Sequence, residues 1–68
     1  MTNIFKERLK ELRLEKEMGH RELGKIIGVS NGTISTWENG INEPKLSYLI
    51  KLAVFFDVSL DYLTGRED

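Results

Sequence analysis

Apolar residues recur along most of this chain at the three- and four-residue spacings of an α-helix. In the first segment Phe5, Leu9 and Leu12 form one stripe, and the other faces carry charges of alternating sign. A stripe of this kind packs on a core while the charged faces stay in water. The pattern predicts an all-α fold with no sheet and five helices, over residues 4–17, 20–27, 31–38 and 45–56, with a fifth between Ser59 and Gly65.

The predicted fourth helix carries more apolar residues than a small core requires. Leu46, Leu49, Ala53 and Phe56 share one stripe, which we expect to face the core. The other apolar side chains lie around the rest of the helix, so part of this surface should stay exposed in a monomer.

Only three residues separate the second and third predicted helices. Gly28 can end the first of them because glycine adopts the left-handed conformation without a Cβ penalty. Ser30 can cap the next, since its hydroxyl accepts from free amides of the first turn. Helices joined by so short a turn must cross steeply. This geometry is the helix-turn-helix, whose second helix enters a DNA major groove.

A strand is the competing interpretation of residues 31–37. Asn31-Gly32 is a hairpin signal, and the residues up to Trp37 have high β-propensity. No matching partner strand lies nearby and both flanks are strongly helical, so we favour a helix. Gly32 should weaken its first turn, and Trp37 should lie in the core or at its edge.

Length and composition indicate a single small domain over residues 1–68. Cysteine is absent, which excludes disulfides and thiolate metal sites. The longest apolar run, residues 52–56, is too short to span a bilayer, and charges begin at Lys6. We therefore expect a cytoplasmic protein that does not associate with membranes.

The charge balance does not by itself indicate a nucleic-acid partner. Ten basic and eleven acidic residues give a net charge of -1. Residues 18–45, the predicted helix-turn-helix, carry equal numbers of each sign. Because a DNA-binding surface is usually basic, any such surface here must arise from the arrangement of charges and backbone amides.

Motifs along nearly the whole chain resemble those of one family. Gly28-Val29-Ser30, Thr33-Ile34-Ser35 and Trp37-Glu38-Asn39-Gly40 follow one another at the spacing of the phage lambda-type Cro/repressor family, also called the xenobiotic-response-element (XRE) family. Matching segments flank this series, namely Arg8-Leu9-Lys10, Leu12-Arg13, Pro44, Leu49-Ile50-Lys51-Leu52-Ala53 and Val58-Ser59-Leu60-Asp61-Tyr62-Leu63. The resemblance implies a compact five-helix DNA-binding domain.

The resemblance implies that residues at the start of the third helix reach the edges of DNA bases. Asn31 is the strongest candidate for base reading, because its amide can pair with both N6 and N7 of adenine. Gly32 would permit close approach of the backbone, and Thr36 would touch a base or a thymine methyl group.

The same resemblance suggests phosphate contacts on both sides of that helix. They comprise side chains and backbone amides of Gly19, His20, Thr33, Ser35, Asn39, Gly40, Asn42 and Lys45. Thr33 has helix-start packing as an alternative role, and His20 could equally be an exposed residue without one. Gly19, His20, Gly32 and Ile41 depart from the family's usual residues, and each removes an aid to DNA binding.

Two further expectations follow from the resemblance. Arg13 and Glu38 should form an internal ion pair between the first and third helices, unless they are two unrelated surface charges. The region of the fourth and fifth helices should form a homodimer contact through Val54, Phe55, Val58, Leu60 and Tyr62.

We therefore expect a sequence-specific transcriptional regulator, a repressor that binds a pseudo-palindromic operator in double-stranded DNA as a dimer. The alternative is a protein-interaction module of the same fold, such as an antirepressor or an antitoxin-like subunit. An enzyme is not expected, since the chain has one histidine, no cysteine, no clustered acid pair and no phosphate-binding loop. No cofactor, metal or small-molecule ligand is expected either.

Overall fold

The computed structural model describes residues 3–67, so the ends of the predicted domain at 1, 2 and 68 lie outside the described residues. Over the described range the chain forms helices and no strand. The five helices are α1 (Asn3–Glu15), α2 (His20–Ile27), α3 (Asn31–Glu38), α4 (Leu46–Phe56) and α5 (Leu60–Thr64). The predicted all-α, five-helix fold is confirmed, and the alternative strand over residues 31–37 is wrong.

Every helix contributes to one core. Its fully buried side chains are Leu9, Leu23, Ile27, Ile34, Leu52 and Leu63. Trp37, predicted to be core or core-edge, is 4% exposed and its ring centroid lies 5.8 Å from that of Tyr48. Because five short helices share this core, none of them depends on its own helix propensity alone.

The first helix ends two residues earlier than predicted. Glu17 adopts the left-handed conformation with φ 56°, and the Met18 amide donates to the Arg13 carbonyl at 3.2 Å. This turn brings the Met18 side chain into the core, where it is 7% exposed. Burial of Met18 therefore competes successfully with one more helical turn.

The predicted core stripe of α4 was wrong at one position and incomplete at another. Leu46 is 63% exposed, whereas Leu52, outside the predicted stripe, is fully buried. The buried face consists of Leu49, Leu52, Ala53 and Phe56. Leu46 opens the opposite face, which continues one and two turns later in the exposed Ile50 and Val54.

The turn between α2 and α3 depends on two glycines. Gly28 has φ 95°, which L side chains rarely adopt, and its amide donates to the Gly24 carbonyl at 2.7 Å. A Cβ on Gly24 would lie only 2.6 Å from the Val29 carbonyl oxygen. Gly24 therefore allows the chain entering α3 to pass close over α2.

The predicted ends of α4 and α5 are also confirmed. Asp57 ends α4 in the left-handed conformation, and Gly65 does the same for α5. The Ser59 hydroxyl caps α5 by accepting from the Tyr62 amide at 2.9 Å. The Arg8 guanidinium lies 4.0 Å from the Tyr62 ring centroid and donates to the Tyr62 carbonyl, which holds α5 against α1.

Candidate nucleic-acid interface

The start of α3 is capped and presents its first residues to solvent. The Ser30 hydroxyl accepts from the Thr33 amide at 3.1 Å. Asn31 and Gly32 are both exposed. Within residues 3–67 the Asn31 side chain has no hydrogen-bond partner. Its amide is therefore available to pair with a base edge.

The threonine side chains of α3 are already engaged within the protein. Thr33 Oγ1 lies 2.9 Å from Ser30 Oγ, in keeping with helix-start packing. Thr36 Oγ1 lies 2.8 Å from the Thr33 carbonyl oxygen and 2.9 Å from Asn42 Oδ1. Thr36 thereby joins α3 to the following loop and orients Asn42.

Ser35 and Asn39 lie on another side of α3. The Asn39 amide donates to Ser35 Oγ at 3.3 Å. Both residues line a cleft of about 290 Å³ between α1, the start of α2 and the end of α3, together with Lys10, Arg13, His20 and Glu38. Among the predicted phosphate contacts, His20, Ser35 and Asn39 thus lie around this cleft. Thr33 and Asn42 form a second group, joined through Thr36, which was predicted as a base contact.

The remaining predicted contacts are backbone positions or isolated side chains. Gly19 is exposed and precedes α2 in an extended conformation without a side-chain cap. The Gly40 amide donates to the Trp37 carbonyl at 3.3 Å, so it has an internal partner already. Lys45 is exposed at the start of α4.

Arg13 connects three parts of the fold. Its Nε and Nη2 donate to Glu38 Oε2 and Oε1 at 2.7 and 3.0 Å, and its Nη1 donates to the Met18 carbonyl at 2.8 Å. The Glu38 side chain is 5% exposed and that of Arg13 is 9% exposed. The pair is therefore mostly buried beside the cleft, and it joins α1 and the loop after it to the last turn of α3.

The environment shifts the pKa of both members of this pair. Burial acts to raise the pKa of the Glu38 carboxyl, but hydrogen bonds from Arg13 and His20 outweigh it and leave that pKa lowered. The hydrogen bond to Glu38 raises the pKa of Arg13 against the opposing effect of burial. Both groups are therefore charged at neutral pH.

His20 makes a contact that the sequence did not predict. Its Nε2 lies 3.1 Å from Glu38 Oε1, so the imidazole is directed to the ion pair. The side chain keeps 37% of its surface exposed. His20 and Glu38 are 18 positions apart in the sequence, and no local pattern relates them.

Basic residues of α1 also lie closer to this surface than the sequence indicated. Lys10 lines the cleft beside Ser35 and Asn39. A Cβ on Gly40 would lie 3.2 Å from Lys6 Cδ, which places Lys6 beside the loop after α3. The sequence pattern had placed both lysines on a solvated helix face. Their alternation with acidic residues concealed which charges lie near α3.

The five residues predicted for a dimer contact differ in their surroundings. Val54 is 75% exposed and Leu60 is 36% exposed, whereas Phe55 and Val58 pack against the core. Tyr62 is partly covered by Arg8. The most exposed apolar surface of α4 is the line through Leu46, Ile50 and Val54, near Ile26 of α2.

This arrangement of helices and caps matches proteins of one family. A family described as Helix-turn-helix matches residues 9–63. The phage CTXphi transcriptional repressor RstR of Vibrio cholerae is 33% identical over 65 residues, which is 96% of this chain and 59% of that protein. The transcriptional regulator AnsR of Bacillus subtilis is 36% identical over 61 residues, which is 90% of this chain and 53% of that protein.

A solved structure extends the match to three dimensions. The P22 c2 repressor, crystallised in complex with a synthetic operator, has a TM-score of 0.84 and 37% sequence identity. The match covers 91% of this chain and 94% of that one. The chain belongs to the helix-turn-helix family of phage-type repressors, the XRE family.

The chain spans a little over half the length of the curated relatives RstR and AnsR. Within residues 3–67, no helix combines the length and apolar character that a bilayer crossing needs.

Proposed function

We propose that this chain is a sequence-specific DNA-binding transcriptional regulator of the cytoplasm, a repressor that binds a pseudo-palindromic operator as a homodimer. The observation that carries the proposal is the state of α3. Its first turn is capped and exposed, and its last turn is fixed by Arg13. The operator complex of the similar P22 c2 repressor supports the same assignment.

In the proposed complex the first turns of α3 lie in the major groove. Asn31 reads a base edge, Gly32 permits close approach, and Thr36 offers its methyl group while its hydroxyl holds Asn42. The cleft residues and the Asn42 loop contact phosphates on either side. Two subunits would place their α3 helices about 34 Å apart along one face of the duplex.

The dimer contact is proposed for Val54, Phe55, Val58, Leu60 and Tyr62. Val54 is the most exposed of these residues, so Val54→Asp should weaken pairing without disturbing the core. Sedimentation with and without an operator duplex measures the effect. A monomer that also binds operator as a monomer would contradict a dimeric regulator.

The decisive experiment is selection of bound duplexes from a random pool, followed by Asn31→Ala. If Asn31 reads a base, preference at one symmetric position should relax, with a loss of about 1–3 kcal/mol. Ser47→Ala, on an exposed position of α4, is the matched control and should leave the preference unchanged. Recovery of a consensus that Asn31→Ala does not alter would remove Asn31 from base reading.

A protein-interaction module of the same fold is the second candidate. The observation in its favour is the exposed apolar line of Leu46, Ile50 and Val54, combined with a net charge of -1. A salt titration separates the two functions, because duplex binding weakens steeply as salt is raised. Absence of duplex binding even at low salt would favour the interaction module.

A further inference from the structure

The contact between His20 and Glu38 closes the open side of the helix-turn-helix. Helices α2 and α3 are joined at Gly28–Ser30, and His20 and Glu38 are the residues farthest from that turn in each helix. His20 Nε2 and Glu38 Oε1 lie 3.1 Å apart. The two helices are therefore connected at both ends, by the turn and by this contact.

The segment before α2 is held by the buried Met18 side chain and by Arg13, which donates to the Met18 carbonyl, but the first turn of α2 itself has no side-chain cap. Gly19, at the N-cap position, offers no side-chain cap, and the first-turn amides of α2 belong to the proposed phosphate surface. Glu38, the other partner in the contact, is held by Arg13 through two hydrogen bonds. His20 thus connects the uncapped first turn of α2 to a carboxylate that Arg13 holds in place.

The charged groups around the His20 imidazole determine how protonation of the ring would change its contact with Glu38. Lys10 and Arg13 of α1 and Glu38 of α3 line the same cleft, while Arg21 and Glu22 follow His20 on α2. Glu38 is the group in contact with the ring and is ionised. The hydrogen bond already has an ionised acceptor, so a protonated His20 adds a charged donor and turns the contact into an ion pair, which is stronger.

We propose that His20 is a positioning residue of the DNA interface, which sets the angle between α2 and α3 through Glu38 and does so more firmly when protonated. The inference rests on the proposed function, because its consequence is DNA affinity. It differs from the expectation that His20 contacts a phosphate itself.

The test measures Kd for a duplex recovered from the random pool with the wild type, His20→Ala and His20→Gln. Measurements at about pH 5.5 and about pH 8 span the range in which histidine changes charge. Gln is the matched variant, because its amide can still donate to Glu38 but does not titrate. His20 is the single histidine of the sequence, so His20→Gln removes all imidazole titration.

If the proposal holds, His20→Ala raises Kd about ten-fold at the lower pH and about three-fold at the higher. His20→Gln stays within about two-fold of the wild type at the higher pH and loses the gain at the lower one. A merely structural residue would not produce this pH profile. If His20→Ala fails to fold by circular dichroism, the His20→Gln profile alone decides.

The salt dependence separates positioning from direct phosphate contact. A positioning residue leaves the slope of log Kd against log salt unchanged in His20→Ala. Loss of a protonated phosphate contact would reduce that slope by about 0.9 at the lower pH and overturn the proposal. Equal affinities of all three proteins at both pH values would overturn it as well. If the wild type binds no duplex at low salt, the proposed function itself has failed.

Discussion

The two ends of α3 are held in opposite ways. At its start Asn31 and Gly32 are exposed, and order depends on the Ser30 cap one residue earlier. At its end Trp37 is in the core and Glu38 is bound by residues of α1 and α2. The residues proposed to read bases thus lie at one end of α3, and the contacts that hold the helix in place lie at the other. Substitutions at the two ends should therefore separate stability from DNA affinity.

Removal of the Arg13 side chain should have the largest effect on stability. Arg13→Ala leaves the buried Glu38 carboxylate without its main partner, which should lower the free energy of unfolding by about 3–5 kcal/mol. Urea unfolding followed by circular dichroism measures it. Lys10→Ala is the matched control, an exposed cation on the same helix, and should change stability by less than about 0.5 kcal/mol. Equal effects of the two variants would contradict an anchoring role for Arg13.

Low pH should lower the free energy of unfolding through Glu38, at the same end of α3. Because the pKa of Glu38 is lowered in the folded state, its ionised form stabilises the fold above the unfolded value of about 4.3. That contribution is lost as the pH falls through the lowered pKa. Urea unfolding between neutral and acidic pH should show the gap between the wild type and Glu38→Gln narrowing below about pH 4.3. A gap that stays constant into that range would contradict the predicted ionisation.

Gly24→Ala should destabilise the fold by displacing the backbone that leads into α3. The added Cβ would lie 2.6 Å from the Val29 carbonyl oxygen, so the backbone leading into α3 must shift. We expect a loss of about 1–3 kcal/mol in urea unfolding, as for other overpacked sites. Wild-type stability in this variant would show that the turn can relax at no cost.

Gly32→Ala should have the smallest effect on stability, and of opposite sign. A Cβ there would meet only Ser30 Oγ, at 3.8 Å, so alanine should stabilise the helix by about 0.5–1 kcal/mol. If Gly32 permits close approach to DNA, affinity should fall in the same variant. Thermal unfolding and duplex titration measured together test this opposition. A rise in both quantities would remove Gly32 from the interface.

Most helix ends were predictable because they depend on neighbouring residues. Gly28 ends α2, and Ser30 and Ser59 cap α3 and α5, all through contacts within a few residues. The end of α1 was not predictable in the same way. It depends on burial of Met18, which requires the rest of the core to be in place.

In the candidate site, too, local features were predictable from the sequence and long-range contacts were not. The family motifs indicated which residues of α3 to consider, and the exposure of Asn31 and Gly32 follows from their place in a capped first turn. The contacts of His20 with Glu38 and of Thr36 with Asn42 were not foreseen. Each depends on side-chain direction, which sequence spacing alone does not give.

By itself the sequence determined five helices, their caps and the short turn that makes two of them cross. Those features depend on backbone preferences and hydrogen bonds between near neighbours. Only the tertiary structure decided that α4 turns Leu52 inward and Leu46 outward, and that Arg13 and His20 meet at Glu38. The reason is physical: the rotation of each helix about its axis minimises exposed apolar area for the whole core, and the long-range contacts follow from that rotation.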